Sequence, residues 1–286
     1  NMSNLNVSNS ESFEFIKGDI CDSDLVDKIS KKVDAIINFA AESHVDRSID
    51  SSKEFIQTNV SGTHTLLESA RKNNLSIFLQ VSTDEVYGSI SEGSWDENFP
   101  LKPNSPYAAS KASSDLLARS FFRTHNLPVI TTRCSNNYGP YQHPEKLIPL
   151  AITNLLRGRG VPIYGSGLNE REWIHVDDHC RAIAHVALLG KIGETYNIGG
   201  SNGIKNIDLI HQIINVLGLD HSMIEFVADR KGHDFRYRFY KVISFFICHI
   251  LKRLKCCMSF VCCRQNRIKS VPNPTWIRKY WKVDNF

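Results

Sequence analysis

Two short stretches carry residue types that could do chemistry together. In Tyr107-Ala-Ala-Ser-Lys111 a phenol and an ammonium stand four residues apart, so on a helix both side chains share one face. An ammonium beside a phenol favours the phenolate and lowers its pKa, which would make Tyr107 a base near neutral pH. In Leu79-Gln-Val-Ser-Thr-Asp-Glu-Val-Tyr-Gly88 an apolar strand runs into a turn bearing a hydroxyl, Thr83, and adjacent carboxylates, Asp84 and Glu85. Neighbouring carboxylates can serve as acid and base when their surroundings separate their pKa values. Base, acid and hydroxyl this close in the chain suit chemistry on a sugar alcohol. Taken alone, Tyr107 and Lys111 could be a surface pair, and Asp84 and Glu85 a solvated turn.

The elements that would hold these groups alternate in type. Phe13–Ile20 reads as a short strand stopping at Gly18, and Ser23–Lys32 as a helix capped by Asp22 or Ser23. Val33–Phe39 is an apolar run of the kind buried in a parallel sheet. Phe55–Asn73 is a long amphipathic helix and Ile77–Ser82 the next strand. Ser105–His125 is a helix with Pro106 in its first turn. Val129–Arg133 is a strand, Ser135–Pro140 its loop, and Glu145–Arg157 a helix. Val161–Gly167 is a strand and turn, Asp178–Leu189 a helix, and Glu194–Ile198 a strand. Asn206–Leu217 is a helix that Gly218 ends. This alternation implies a parallel sheet covered by helices on both faces.

The totals are those of a globular chain: 286 residues, 42% hydrophobic and 22% charged. The net charge of +4 hides an asymmetry. From Arg238 onward there are 11 Lys/Arg and one acid, Asp284, so the preceding residues carry a net −6. Cysteine divides likewise: Cys21, Cys134 and Cys180 lie in the body, whereas Cys248, Cys256, Cys257, Cys262 and Cys263 crowd the tail. Scattered single cysteines and a polar Asn1–Ser12 point to a reducing, cytoplasmic setting. The longest apolar run, Val242–Leu251, is too short to span a bilayer. The tail could touch nucleic acid or lie on a membrane, but a poorly packed segment is the reading preferred, with no nucleic-acid partner and no membrane span. Its cysteine doublets lack zinc-ligand spacing, and no metal is expected.

An ordered series of motifs resembles the extended short-chain dehydrogenase/reductases. Within them the chain is most similar to the dTDP-glucose 4,6-dehydratase family. The series comprises Gly18-Asp-Ile-Cys-Asp22, Phe39-Ala-Ala-Glu-Ser-His-Val-Asp-Arg-Ser48, Asn59-Val-Ser-Gly-Thr63 and Ser82-Thr-Asp-Glu-Val-Tyr-Gly88. It continues through Pro106-Tyr-Ala-Ala-Ser-Lys111, Cys134-Ser-Asn-Asn-Tyr-Gly-Pro140, Arg171-Glu-Trp-Ile-His-Val-Asp-Asp178, Tyr196-Asn-Ile-Gly199 and Asp229-Arg-Lys-Gly-His-Asp234. The acid pair separates this family from sugar 4-epimerases, which oxidise and re-reduce C4 and need no elimination.

The resemblance implies NAD as cofactor, a nucleotide-sugar substrate and a homodimer. It implies catalytic roles for Thr83, Asp84, Glu85, Tyr107 and Lys111. NAD contacts would come from Asp19, Ile20, Phe39, Ala40, Ala41, Thr58, Tyr107, Lys111 and Asn137. Substrate contacts would come from Ser43, Thr83, Asn136, Lys146, Leu147, Pro162, Tyr164, Arg171, Asn206, Arg230 and His233. Asp19 could instead simply end a strand, and Asn136 and Asn137 could be plain turn formers.

The family begins with a strand, a glycine-rich turn and a helix that bind pyrophosphate, and no G-x-x-G-x-x-G occurs in these 286 residues. The expectation is therefore a Rossmann-like, doubly wound α/β sheet missing its first βαβ unit, with apolar surface exposed at Val33–Phe39. An incomplete NAD-binding domain would cover residues 1–160, with strands of 161–200 returning partly to it. A substrate lobe would occupy mainly 161–237, and an atypical basic, cysteine-rich tail 238–286. The alternatives are a UDP-sugar dehydratase or 4-epimerase, and an inactive remnant that at most binds sugar nucleotide.

Overall fold

The computed structural model describes residues 13–200 and 203–240. The expectations for Val242–Leu251, the cysteine doublets and most of the basic tail lie outside the described residues. The chain begins with α1 (Ser23–Ser30), β1 (Ala35–Asn38), α2 (Val45–Asp50) and α3 (Lys53–Phe55). A π-helical turn, Ile56–Gly62, leads into α4 (Thr63–Lys72). Then come β2 (Ile77–Thr83), a 3-10 turn at Asp84–Tyr87, α5 (Pro106–His125), β3 (Val129–Cys134) and β4 (Asn136–Tyr138). The remainder is α6 (Leu147–Leu156), β5 (Val161–Tyr164), β6 (Glu170–His175), α7 (Val176–Leu189), β7 (Thr195–Ile198), β8 (Gly203–Lys205), α8 (Asn206–Leu217) and β9 (Ile224–Val227).

Strands β1, β2, β3 and β7 pair in that order, all parallel. Side chains alternate across a strand, and the two faces are covered separately. Phe78 and Val129 pack with Leu66 and Leu67 of α4 and Phe121 of α5. Their neighbours Leu79 and Ile130 pack with Ile183 and Val186 of α7. Helices on both faces of a parallel sheet make the doubly wound architecture. The register sets Thr83 opposite Cys134, at the carboxyl ends of β2 and β3.

The second lobe is built from shorter pieces. Strand β6 pairs parallel with β4 and antiparallel with β8, and β5 pairs parallel with β9. Helices α6 and α8 close a core with Ile152, Leu155, Trp173, Leu209 and Ile213. A third group, Tyr87, Trp95, Tyr237 and Phe239, ties the end of the described chain to the 3-10 turn after β2.

Local signals explain most boundaries. Asp22 accepts a hydrogen bond from the Leu25 N–H and caps α1, Ser105 caps α5 with Pro106 in its first turn, and Gly218 ends α8 at φ 66°. Four expectations are corrected. Phe13–Ile20 is irregular, with Phe13 and Phe15 exposed and no strand pairing it among the described residues. Strand β1 is shorter than the buried run read at Val33–Phe39, and the apolar exposure expected there is seen: Ile37 is 41% exposed and Phe39, just beyond it, 55%. Phe55–Asn73 is not one α-helix but passes through the π-helical turn. The loop at Ser135–Pro140 contains strand β4.

Candidate active site

Strand β2 delivers Thr83, Asp84 and Glu85 to the floor of the site. The Thr83 hydroxyl accepts from the Glu85 N–H at 3.3 Å and donates to Asp84 Oδ1 at 3.1 Å, which locks the turn. Gly88 ends the turn at φ +81°, where a Cβ would stand 2.2 Å from the Lys102 carbonyl oxygen. Both the conformation and the space demand glycine there.

Helix α5 brings Tyr107 and Lys111 against the same strand. The Tyr107 N–H donates to Ser48 Oγ, and the Tyr107 ring meets Phe55 edge-on. Asn59, on the π-helical turn, donates to Ser110 Oγ at 2.8 Å, and its backbone carbonyl accepts from Ser114 Oγ. The π-helical turn thus anchors α5, in keeping with the tendency of such turns to lie at functional sites. Lys111 Nζ donates to the Val81 carbonyl at 2.7 Å, one of its three donors.

The electrostatics differ from the sequence expectation in one respect. Tyr107 is pushed well above the ordinary phenol range, first by burial and then by Glu85, Cys134 and Asp84, while a Thr83 hydrogen bond pulls it down. The expected lowering by Lys111 is not the governing effect. The ammonium is itself buried, which lowers its pKa, and it interacts chiefly with Asp115 and Cys134. Asp84 is raised well above the carboxylate range by burial and then by Glu85, and its Oδ2 is buried without a hydrogen-bond partner. Glu85 is raised to about 7, mainly by burial, with Arg171 opposing. A carboxyl held neutral beside one poised near neutrality is an acid and a base side by side.

Three cations of the second lobe bear on the same carboxylate: Arg171, Arg230 and Lys146 each lower the Glu85 pKa, whereas Asp234 raises it. Arg171 donates to the backbone carbonyls of Glu170, Asp234 and Phe235, and lies 4.2 Å over the Tyr237 ring. Arg230 lies 5.0 Å over Tyr164, which also meets the His233 ring edge-on. His233 Nδ1 is 2.6 Å from Asp229 Oδ1, and Lys146 Nζ donates to the Ser43 carbonyl at 2.8 Å.

The remaining sequence candidates fall into separate groups. Asp19 accepts from the Cys21 N–H, and Ile20 packs on Gly62, so this turn rests on the π-helical turn that carries Thr58. Phe39, Ala40 and Ala41 follow the carboxyl end of β1, with Asn38 Oδ1 accepting from the Ala40 N–H. Asn137 is held inward: Nδ2 donates to the Ser135 carbonyl, and Oδ1 lies 2.9 Å from His179 Nδ1. Burial depresses His179 to about 4, so the neutral ring donates from Nδ1 and fixes the amide. Asn136 is on β4, Leu147 opens α6, Pro162 is on β5 and Asn206 opens α8. The Asn206 side-chain oxygen is buried without a hydrogen-bond partner.

Sequence reasoning passed over several residues of the site. Cys134 is half-buried among these groups, its thiol pushed up to about 12 by desolvation and then by Asp84. Asp234 accepts from Asn104 and Tyr237 at 2.6 Å each. Asp46 pairs with Arg230. Asp46 and Asp234 both lie inside the motifs quoted above, which was the available signal.

A family profile described as GDP-mannose 4,6 dehydratase matches residues 1–239. A dTDP-glucose 4,6-dehydratase of Streptomyces niveus is 55% identical over 231 residues, which cover 81% of this chain and 69% of that protein. The chain belongs to the dTDP-glucose 4,6-dehydratase family. Solved structures of the family superpose on it closely. The enzyme DesIV from Streptomyces venezuelae, with NAD and TYD bound, is 51% identical with a TM-score of 0.85, covering 87% of this chain and 80% of that one. The Bacillus anthracis dehydratase in complex with NAD is 44% identical with a TM-score of 0.81, covering 91% and 83%. Among the described residues no helix is long and apolar enough to cross a membrane, and no cluster of three or more His, Cys, Asp or Glu could hold a metal ion.

Proposed function

We propose that the chain dehydrates dTDP-glucose to dTDP-4-keto-6-deoxyglucose, with NAD as its resident cofactor. The observation that carries this reading is the convergence of buried Tyr107, Thr83 and Asp84 with the half-buried Glu85 in one cluster. An epimerase needs the phenol but has no use for the acid pair.

The residues present suit the ribose end of NAD: Lys111 is buried beside the site and keeps two donors beyond its bond to Val81, enough for a sugar diol. Asp19 and Ile20 would face the adenine, Thr58 would lie beside them, and the backbone of Phe39–Ala41 would run under the pyrophosphate and ribose. When bound, NAD accepts the C4 hydride and returns it to C6. Tyr107 takes the proton of the C4 hydroxyl while Thr83 hydrogen-bonds the C4 oxygen. Negative charge on Glu85, and to a lesser degree on Asp84, raises the phenol further, so a neutral Asp84 favours the phenolate without alone securing it. Glu85 takes the C5 proton, acidified by the new ketone, and Asp84 protonates the departing C6 hydroxyl. Glu85 then returns the proton to C5. Each acid or base role of this kind contributes roughly 10²–10⁴-fold.

Arg171 and Arg230 would clamp the diphosphate, since guanidinium donates in a planar fork that matches phosphate oxygens. Lys146, His233 and Tyr164 lie with them, and Ser43, Asn136, Leu147, Pro162 and Asn206 would complete the substrate site. The α5 surface, where Leu116 is 56% exposed, suits pairing with a second copy in a homodimer. The test is incubation with dTDP-glucose and NAD, following the 4-keto product by its absorbance in alkali. UDP-glucose in parallel separates the UDP-sugar reading. A product that keeps its C6 hydroxyl would replace dehydration with epimerisation.

A further inference from the structure

We propose that Asp46 is a built-in competitor for the ligand's diphosphate: its carboxylate pairs with Arg230 and yields that cation to phosphate on binding. This rests on the sugar-nucleotide reading above and adds an affinity-setting residue to it.

The pair joins distant parts of the molecule. Asp46 stands in the first turn of α2 beside the catalytic lobe, and Arg230 follows β9 in the second lobe, 184 residues away. One carboxylate oxygen meets Arg230 Nε and the other accepts from Nη2 at 3.0 Å. Tyr164 reinforces the grip, its hydroxyl donating to Asp46 Oδ2 at 3.4 Å and its ring lying under the guanidinium. Arg230 is therefore held by Asp46 through one hydrogen bond from Nη2 and an ion-pair contact at Nε, which has no hydrogen-bond partner of its own and is left for a phosphate to take.

The other two cations near Glu85 are held differently. Arg171 donates to backbone carbonyls and Lys146 to the Ser43 carbonyl. Among the described residues Arg230 alone of the three has a carboxylate in ion-pair contact. The exposures suit exchange rather than permanent pairing, since the side chains are 22% and 35% accessible. A half-exposed pair is worth little in water, and a diphosphate offers more charge and more acceptor oxygens. The neighbouring links, Lys146 to Ser43 and Arg47 to Glu145, leave the lobes joined when Arg230 changes partner. Asp46 would then set how tightly ligands bind without touching the reacting carbon.

The opposite role is an Asp46 that orients Arg230 toward the ligand and stays bound to it, and calorimetric titration of dTDP into the full chain distinguishes the two. Competition predicts that Asp46→Asn binds dTDP about three- to tenfold more tightly than wild type. Arg230→Gln should bind it at least about tenfold more weakly. Equal or weaker binding by a folded Asp46→Asn overturns the proposal and leaves the substrate reading standing. Failure of the wild type to bind dTDP at all removes the substrate reading and this proposal together. Should the variant not fold, hydrogen exchange on the wild type decides: amides of α2 exchange faster when dTDP is added if Asp46 is released, and slower if Arg230 stays paired.

Discussion

Asp115 and Arg133 are buried as deeply as Asp84 and Tyr107, yet the two sets are built in opposite ways. Arg133 Nε donates to Asp115 Oδ2 at 3.0 Å, and its Nη1 donates to the Tyr87 hydroxyl, which in turn donates to Asn197. Each charge there has its opposite in contact. Asp84 and Asp115 each have one buried oxygen with no partner, but Asp115 has Arg133 in contact, whereas the largest charge effect on Asp84 is the like charge of Glu85, with Arg171 opposing. Paired burial holds β3 to α5, whereas unpaired burial stores protons at neutral pH. A buried acid with no cation in contact is unfavourable for the fold and is a candidate for chemistry.

That contrast can be broken from either side. The largest effect is expected for Tyr107→Phe, which should lower turnover about 10²–10⁴-fold while leaving the urea midpoint unchanged, because the lost hydroxyl pairs no buried charge. Arg133→Met should do the reverse. Among the described residues it removes the only cation in contact with Asp115, leaving it Lys111 and Ser82 alone, and should cost about 3–5 kcal/mol in urea unfolding.

A smaller effect separates the two sets by pH. Glu85 is raised from an ordinary value near 4.5 to about 7. The folded chain therefore binds more protons than the unfolded chain between those values, and stability falls as pH rises through that window. Glu85→Gln should flatten this fall and stabilise the chain at pH 8 by about 1–3 kcal/mol. The rate of proton abstraction from C5 should rise through pH 7 in the wild type, as Glu85 ionises. A Glu85→Gln stability curve that still falls as steeply would assign the loss to another acid, such as Glu172, which burial also raises to about 7.

The chemistry was legible where it lay in short stretches. Tyr107 and Lys111 share a helical face, and the Thr83–Glu85 turn ends an apolar strand, so local spacing sufficed. Asp46 and Arg230 meet across 184 residues, and no periodicity links them. The tuning of Tyr107 was misjudged because four-residue spacing says where Lys111 lies but not what it contacts, and its Nζ goes to the Val81 carbonyl. Strand β1 reads as buried from its own run alone, and its exposure was legible only from the absent glycine-rich unit. An apolar run is buried only where a neighbour pairs on each side, and among the described residues β1 pairs with β2 alone. The π-helical turn leaves no mark in an amphipathic pattern, although it supplies the Asn59 bonds that anchor α5.

The central claim is that one phenol and one carboxyl pair act on the same hexose. Proton NMR of a dTDP-glucose and NAD reaction tests it most directly. The account predicts loss of the C6 hydroxymethyl signals and growth of a C6 methyl signal beside a C4 ketone, both abolished by Glu85→Gln. A product that keeps its hydroxymethyl group, or a methyl product formed equally well by Glu85→Gln, would contradict it.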